Sequence, residues 1–326
     1  MQRLEELLRN RASELLQAGA VEKVIAWKKG EDLYDNSPAT FTKDNINEFV
    51  YNSFCGANLS KYLVNESKKP GGKMLVFLKP CDTYSFNQLL TEHRIVRDKF
   101  YVIGIECQGH VDMDKVYDQG VSGITEITED EDNLLVKTLY GDKKIKKEDV
   151  LLIKCETCKS KEFAVADETI VTKEMVDHKD KRFEEVEKLE AMTTDERYAF
   201  WKSELSKCIR CNACRNVCPA CTYTKCVFDN NKSGVAGKSN PDSFEEKMYH
   251  IIRAYHVAGR CTDCGECSRV CPQNIPLHLI NRKFIKDINT NYGEYQAGAT
   301  VNARNPLVSF DKNDVEASVV VDGGKK

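Results

Sequence analysis

Cys208-Ile209-Arg210-Cys211-Asn212-Ala213-Cys214-Arg215-Asn216-Val217-Cys218-Pro219 and Cys261-Thr262-Asp263-Cys264-Gly265-Glu266-Cys267-Ser268-Arg269-Val270-Cys271-Pro272 are two copies of one pattern, Cys-x2-Cys-x2-Cys-x3-Cys-Pro. Three cysteines at x2 spacing can wrap one cubane in a tight loop, and the fourth, just before proline, turns away to ligate the other cluster in two-cluster ferredoxins. The expected ligand sets are Cys208, Cys211 and Cys214 with Cys271 for one 4Fe-4S cluster, and Cys261, Cys264 and Cys267 with Cys218 for a second. Zinc is the competing metal, since a bare Cys-x2-Cys is a common zinc half-site. Tetrahedral zinc, however, does not account for a third cysteine at the same spacing and a proline-terminated fourth, twice over.

Working outward, the 42 residues 219–260 between the runs are too many for the short β-containing connection of a compact ferredoxin. Ser243-Phe244-Glu245-Glu246 reads as a capping box, with Met248, Ile251, Ile252 and Tyr255 on one helical face and Gly259 as the stop. Helical spacing recurs at Phe183, Val186 and Leu189, at Tyr198, Trp201 and Leu205, and after Pro276 at Leu277, Ile280, Phe284 and Ile285. With Gly259-Arg260 ahead of the second run and Ile275-Pro276 after it, this part resembles the helical two-cluster domain of succinate dehydrogenase iron–sulfur subunits and heterodisulfide reductase C subunits. Cys221 and Cys226 fit neither ligand set; substitute ligands, a redox pair and small buried residues all remain open.

Upstream, Leu4, Leu7, Leu8, Leu15 and Leu16 make a stripe near helical period that Gly19 ends. Short β-rich runs follow at 21–27, 74–78, 101–105 and 150–153, with helical patterns at 45–51 and 85–92. This predicts an α/β domain with a mostly parallel sheet. Cys81, Cys107 and Cys155 each lie just downstream of a predicted strand, and Cys158 is three residues further on. If those strands are parallel, their C-terminal ends share the edge where open α/β sheets place ligands, and four thiols converge there. From spacing alone a third cluster competes with two buried cysteines beside a zinc half-site or a dithiol.

Lys79-Pro80-Cys81-Asp82, Ile103-Gly104-Ile105-Glu106-Cys107 and Cys155-Glu156-Thr157-Cys158, with Ala166-Asp167 downstream, resemble the beta-subunit family of deazaflavin-coenzyme-reducing hydrogenases and formate dehydrogenases. The resemblance implies a third 4Fe-4S cluster on Cys81, Cys107, Cys155 and Cys158, and flavin adenine dinucleotide (FAD) beside it, although no Gly-x-Gly-x-x-Gly fingerprint is present. The pattern changes from about Phe183 and becomes irregular after 288, so three parts are expected: a beta-subunit-like α/β domain over 1–180, a helical dicluster domain over 181–288 and an irregular C-terminal arm over 289–326. Methanogen members of that family carry their ferredoxin-like cysteines ahead of the α/β domain, an order from which this chain is expected to depart.

The 326 residues are 41% hydrophobic and 30% charged, and no apolar run is long enough to span a bilayer. Charges among the first leucines exclude a secretory segment, so a cytoplasmic location is expected. A net charge of −3 with interleaved signs gives no case for nucleic acid. Fifteen cysteines in a reducing compartment argue for metal or redox use. No general base or nucleophile stands out. The leading expectation is an electron-transfer subunit working with a hydrogenase, formate dehydrogenase, flavoprotein or heterodisulfide-reductase-like partner; the alternative is a flavin-bearing subunit that exchanges hydride with a soluble coenzyme. Four signals are set aside: Gly237-Lys238-Ser239 as a loop, the acidic residues 129–132 as a solvated turn, Cys55 as structural, and His250 and His256 as packing or exposed residues.

Overall fold

The computed structural model describes residues 2–32, 34–230, 232, 243–309 and 312, and the chain divides into two compact units. The first takes in 1–83 and 95–181, the second 84–94 and 182–326.

The first unit is α/β. Its strands are β1 (Lys23–Lys29), β2 (Asn36–Phe41), β3 (Phe49–Val50), β4 (Met74–Leu78), β5 (Phe100–Ile105), β6 (Ile124–Glu129), β7 (Asn133–Thr138), β8 (Lys143–Lys146) and β9 (Glu168–Ile170). The main sheet runs β2-β1-β4-β5-β9, with β3 also on β1. The β1–β4, β4–β5 and β5–β9 pairs are parallel, while β2 and β3 are antiparallel to β1. All five residues of β4 are buried, as a strand covered on both faces requires. Phe77 of β4 packs on Phe49, with ring centroids 5.4 Å apart. The hairpins β6-β7-β8 form a separate antiparallel sheet with its own small core around Leu134, Val136 and Ile145. The opening helix, Gln2–Gln17, buries Leu4, Leu8, Leu15 and Leu16, and Gly19 leaves it at φ 70°.

Two local expectations fail. Residues 45–51 do not form a helix; a single 3-10 turn, Ile46–Glu48, leads into β3, because the aromatics Phe49 and Tyr51 are used to fill the sheet's core. Residues 150–153 do not join the main sheet. The Leu151 backbone instead makes an antiparallel bridge with Val111, and the chain turns at once into the short helix Ile153–Glu156.

The second unit has no strands among its described residues. Helices Glu184–Ala191 and Thr194–Ser206 precede the first Cys run, the latter begun by a capping box between Thr193 and Glu196. Helix Ser243–Val257 lies between the runs and Leu277–Tyr292 follows the second. The capping box expected at 243–246 lies outside the described side chains. Expectation also chose the wrong face of helix Ser243–Val257: Ile251 and Tyr255 are exposed, while Tyr249, His250, Arg253, Ala254 and Val257 are buried.

After Tyr292 the chain is irregular but held. Tyr295 Oη donates to the Gly259 carbonyl at 2.8 Å, and the Asn302 amide donates to Thr91 Oγ1 at 3.0 Å. Gly298 sits at φ 77°, where a Cβ would lie 1.9 Å from the Tyr84 carbonyl oxygen. Gly298→Ala therefore combines left-handed strain with a backbone overlap, and is expected to destabilise the protein by about 1–3 kcal/mol or more. Chemical denaturation monitored by tryptophan fluorescence checks this; an unchanged midpoint would show that the segment does not dock as described.

Candidate metal centres

The two Cys runs fold alike. In the first, Arg210 and Asn212 have φ of 54° and 62°; at the same positions of the second, Asp263 and Gly265 have 54° and 68°. Left-handed residues on either side of the second cysteine curl each run into a tight loop, and Gly and Asn adopt that conformation most readily. A four-residue helix follows in both, Ala213–Asn216 and Glu266–Arg269, carrying the third cysteine. The fourth cysteine's amide then donates to the carbonyl three residues back, Cys218 to Arg215 at 3.3 Å and Cys271 to Ser268 at 3.0 Å.

Cys208, Cys211, Cys214 and Cys271 line a single pocket, together with Tyr249 and His250. Cys218 acts electrostatically on Cys261 and Cys267, as well as on Cys214 of its own run. The second loop is fixed by Asp263, which accepts from Arg282 Nε at 3.0 Å and from Arg182 Nε at 2.9 Å, all three side chains being largely buried. Tyr249 Oη donates to Asn212 Oδ1 at 2.7 Å and braces the first loop.

Burial pushes the thiols up: Cys267 to about 12, Cys214 upward, and Cys261 well above its ordinary value. The guanidinium of Arg253 pulls both Cys214 and Cys267 back down. Arg253 Nε and both ring nitrogens of His250 are buried without a hydrogen-bond partner among the described residues. Such orphaned donors, beside soft thiolate ligands, suit the sulfur atoms of an iron–sulfur cluster.

In the first unit, Cys81 lies in the first turn of helix Pro80–Thr91 directly after β4, and Cys107 lies two residues beyond β5. Cys155 gets there by a route other than the expected parallel strand. The loop after β5 pairs with the segment ahead of Cys155, through the Leu152 amide to the His110 carbonyl at 2.8 Å and the Asp112 amide to the Val150 carbonyl at 2.8 Å. Gly109, at φ 103°, permits the approach; a Cβ there would come 2.8 Å from Leu151 and 3.5 Å from Cys155 Cβ. The four thiols act on one another: Cys81 is pushed well up by burial and further by Asp82 and Cys158, and Cys155 is pushed up to about 11 by burial and then by Cys107 and Cys158.

Sequence reasoning passed over the lysines around these thiols. Lys79, Lys154, Lys159 and Lys161 are all under a tenth exposed. Lys79 pairs with Asp82 at 3.0 Å, Lys154 donates to the Gly56 carbonyl at 3.0 Å, and Lys161 to the Cys107 carbonyl at 2.8 Å. Burial works to lower the Lys161 pKa, yet Cys107, Cys158, Cys155 and Cys81 together raise it. Asp82 meets the charge of Lys79, whereas the Cys107 carbonyl satisfies the Lys161 ammonium without cancelling its charge, so the site favours an anionic occupant; a 4Fe-4S core of charge 2+ on four thiolates is formally 2−. The signal was a basic residue within two or three positions of most of these cysteines, at strand ends otherwise apolar. Among the described residues no three His, Cys, Asp or Glu side chains are drawn in tightly enough to hold a lone metal ion.

Cys55 is fully buried, pushed up to about 12 by burial, and its sulfur accepts from the Asn52 amide at 3.4 Å. Cys221 and Cys226 are half-buried, and His256 is exposed beside Phe228. Gly237-Lys238-Ser239 lies outside the described residues. Among the described residues no helix is long and apolar enough to cross a membrane.

Residues 204–275 match the 4Fe-4S dicluster domain family. The F420-dependent formate dehydrogenase subunit beta of Methanocaldococcus jannaschii is 24% identical, over 91% of this chain and 92% of that protein. A second such beta subunit, from Methanococcus maripaludis, is 24% identical over 86% of this chain and 88% of its own length. The putative ferredoxin-3 of Sinorhizobium fredii is 32% identical over 22% of this chain and 70% of its own. A chain of the F420-reducing NiFe hydrogenase complex from Methanosarcina barkeri superposes with a TM-score of 0.37 at 13% identity, over 47% of this chain and 58% of that one, too loosely to support a conclusion.

The raised thiols set a pH dependence for the iron-free protein. An ordinary thiol near 9.0 ionises on unfolding, while Cys155 in the folded chain holds its proton to about 11 and Cys267 to about 12. Above pH 9 the unfolded chain therefore binds fewer protons than the folded one, and stability falls as pH rises from about 9 to about 11–12. Denaturant titrations of iron-free protein across that window are expected to show a steadily lower midpoint. A flat profile would mean that these thiols are not buried as described.

Proposed function

We propose that the chain, similar to the beta subunits of F420-dependent formate dehydrogenases, is an iron–sulfur electron-transfer subunit of an oxidoreductase complex and carries three 4Fe-4S clusters, one in the α/β unit and two in the helical unit. Cys81, Cys107, Cys155 and Cys158 would hold the first. Cys208, Cys211, Cys214 and Cys271 would hold the second, and Cys261, Cys264, Cys267 and Cys218 the third. A cluster on four thiolates takes up and gives back one electron at a time. The chain's own contribution is to fix the thiols on short, hydrogen-bonded loops, bury or half-bury most of them, and offset the added negative charge with Lys154, Lys159 and Lys161 in one unit and Arg253 in the other.

The observation that carries the reading is the gathering of four thiols among buried lysines, in a unit whose neighbour bears the repeated Cys pattern. The partner we infer is the redox subunit of a cytoplasmic formate dehydrogenase, hydrogenase or heterodisulfide-reductase-like assembly. A second reading has one supporting observation: two relatives that align over most of the chain are named for dependence on F420. A deazaflavin exchanges hydride, a two-electron carrier, so linking it to one-electron clusters calls for a converter such as FAD.

Anaerobically purified full-length protein separates these readings. Cys155→Ser is expected to remove the electron paramagnetic resonance signal of one reduced cluster and leave the other two. An unchanged spectrum contradicts the assignment of Cys155. Stoichiometric FAD, present as purified or after reconstitution, supports the hydride-exchanging reading; its absence in both leaves the chain as a relay alone.

A further inference from the structure

Helix Ser243–Val257 turns polar residues inward. His250 and Arg253 are each 2% exposed, one helical turn apart, whereas Ile251 and Tyr255 of the same helix face outward. A helix that buries an arginine and exposes an isoleucine gains little from apolar packing, so the inward charge requires a reason of its own.

Arg253 has no carboxylate partner among the described residues. Its Nη2 donates to the Cys214 carbonyl at 2.9 Å, and its Nε has no acceptor. Burial opposes the guanidinium's charge, and the groups that sustain it include cysteines of both expected ligand sets: Cys267 first, then Cys214 and Cys218, with Cys221, which belongs to neither set, after them. His250, by contrast, lines the pocket of the Cys208 set.

We propose that Arg253 is a shared tuning cation for the two clusters of the helical unit, its one buried charge favouring the reduced form of both and its Nε–H held for a sulfur acceptor. This rests on the ligand sets proposed above. Each cluster gains one electron on reduction, its formal charge passing from 2− to 3−, with the electron supplied by the partner redox subunit. A fixed positive charge near both sites stabilises that added charge at each, and a buried charge is screened little by salt. One residue thereby moves the two potentials together and keeps their difference, which sets the direction of flow between them.

The test is a redox titration of full-length protein followed by electron paramagnetic resonance, with iron counted in each sample. If wild-type protein shows no pair of clusters assignable to the helical unit, the ligand reading fails whatever Arg253 does. With the pair present, Arg253→Gln is expected to weaken one-electron reduction of both about tenfold, a downward shift of about 59 mV, and Arg253→Lys to retain most of the wild-type value. A shift in one cluster alone, or in neither, overturns the proposal. Should Arg253→Gln lose iron, protein labelled with 15N-arginine is compared between wild type and Arg253→Lys by pulsed resonance. A nitrogen coupling in both cluster signals that disappears in the lysine variant supports the proposal, and a coupling that is absent or that persists overturns it.

Discussion

Thiolates drawn together inside a folded chain repel one another, and burial makes the repulsion worse. Every other feature of this protein answers that constraint. Uncompensated, the thiols hold their protons far above neutral pH, as Cys155 and Cys267 do. Bound iron and nearby fixed cations are the two available remedies, and the chain is arranged for both. In the α/β unit Lys154, Lys159 and Lys161 act on the four cysteines. The helical unit uses fewer charges, with Arg253 acting on both halves of the Cys repeat.

The scaffolding differs between the units in an instructive way. In the helical unit the loops make the site, through left-handed residues at matching positions of the two runs and a short helix after each. In the α/β unit the sheet makes it. Parallel β4 and β5 bring Cys81 and Cys107 to one edge, and a bridge between Val111 and Leu151 draws the Cys155 segment against the same place. Antiparallel pairing of a loop with a loop does here what another parallel strand was expected to do.

Much of this was legible in the sequence. The continuous apolar runs at 74–78 and 101–105 mark buried parallel strands, and the Cys runs carry their ligand spacing openly. Gly265 and Asn212 announce the left-handed turns, whereas Arg210 and Asp263 give no such notice. Two readings failed for physical reasons. Residues 45–51 have helical spacing, but their aromatics are spent on the sheet core. The face of helix Ser243–Val257 was misread because periodicity assumes that apolar residues point inward, and this helix buries His250 and Arg253 instead, the latter on the Cys214 carbonyl. The buried lysines were missed for a related reason: composition places lysine at the surface, and only a site for an anion reverses that rule.

The central claim, that buried cations and repeated loops serve three four-thiolate sites, is tested most directly by Mössbauer spectroscopy and iron analysis of protein isolated without oxygen from cells grown on 57Fe. The account predicts about twelve irons per chain, all in 4Fe-4S clusters. About eight irons would remove the site in the α/β unit, and stoichiometric zinc in place of iron would contradict the account as a whole.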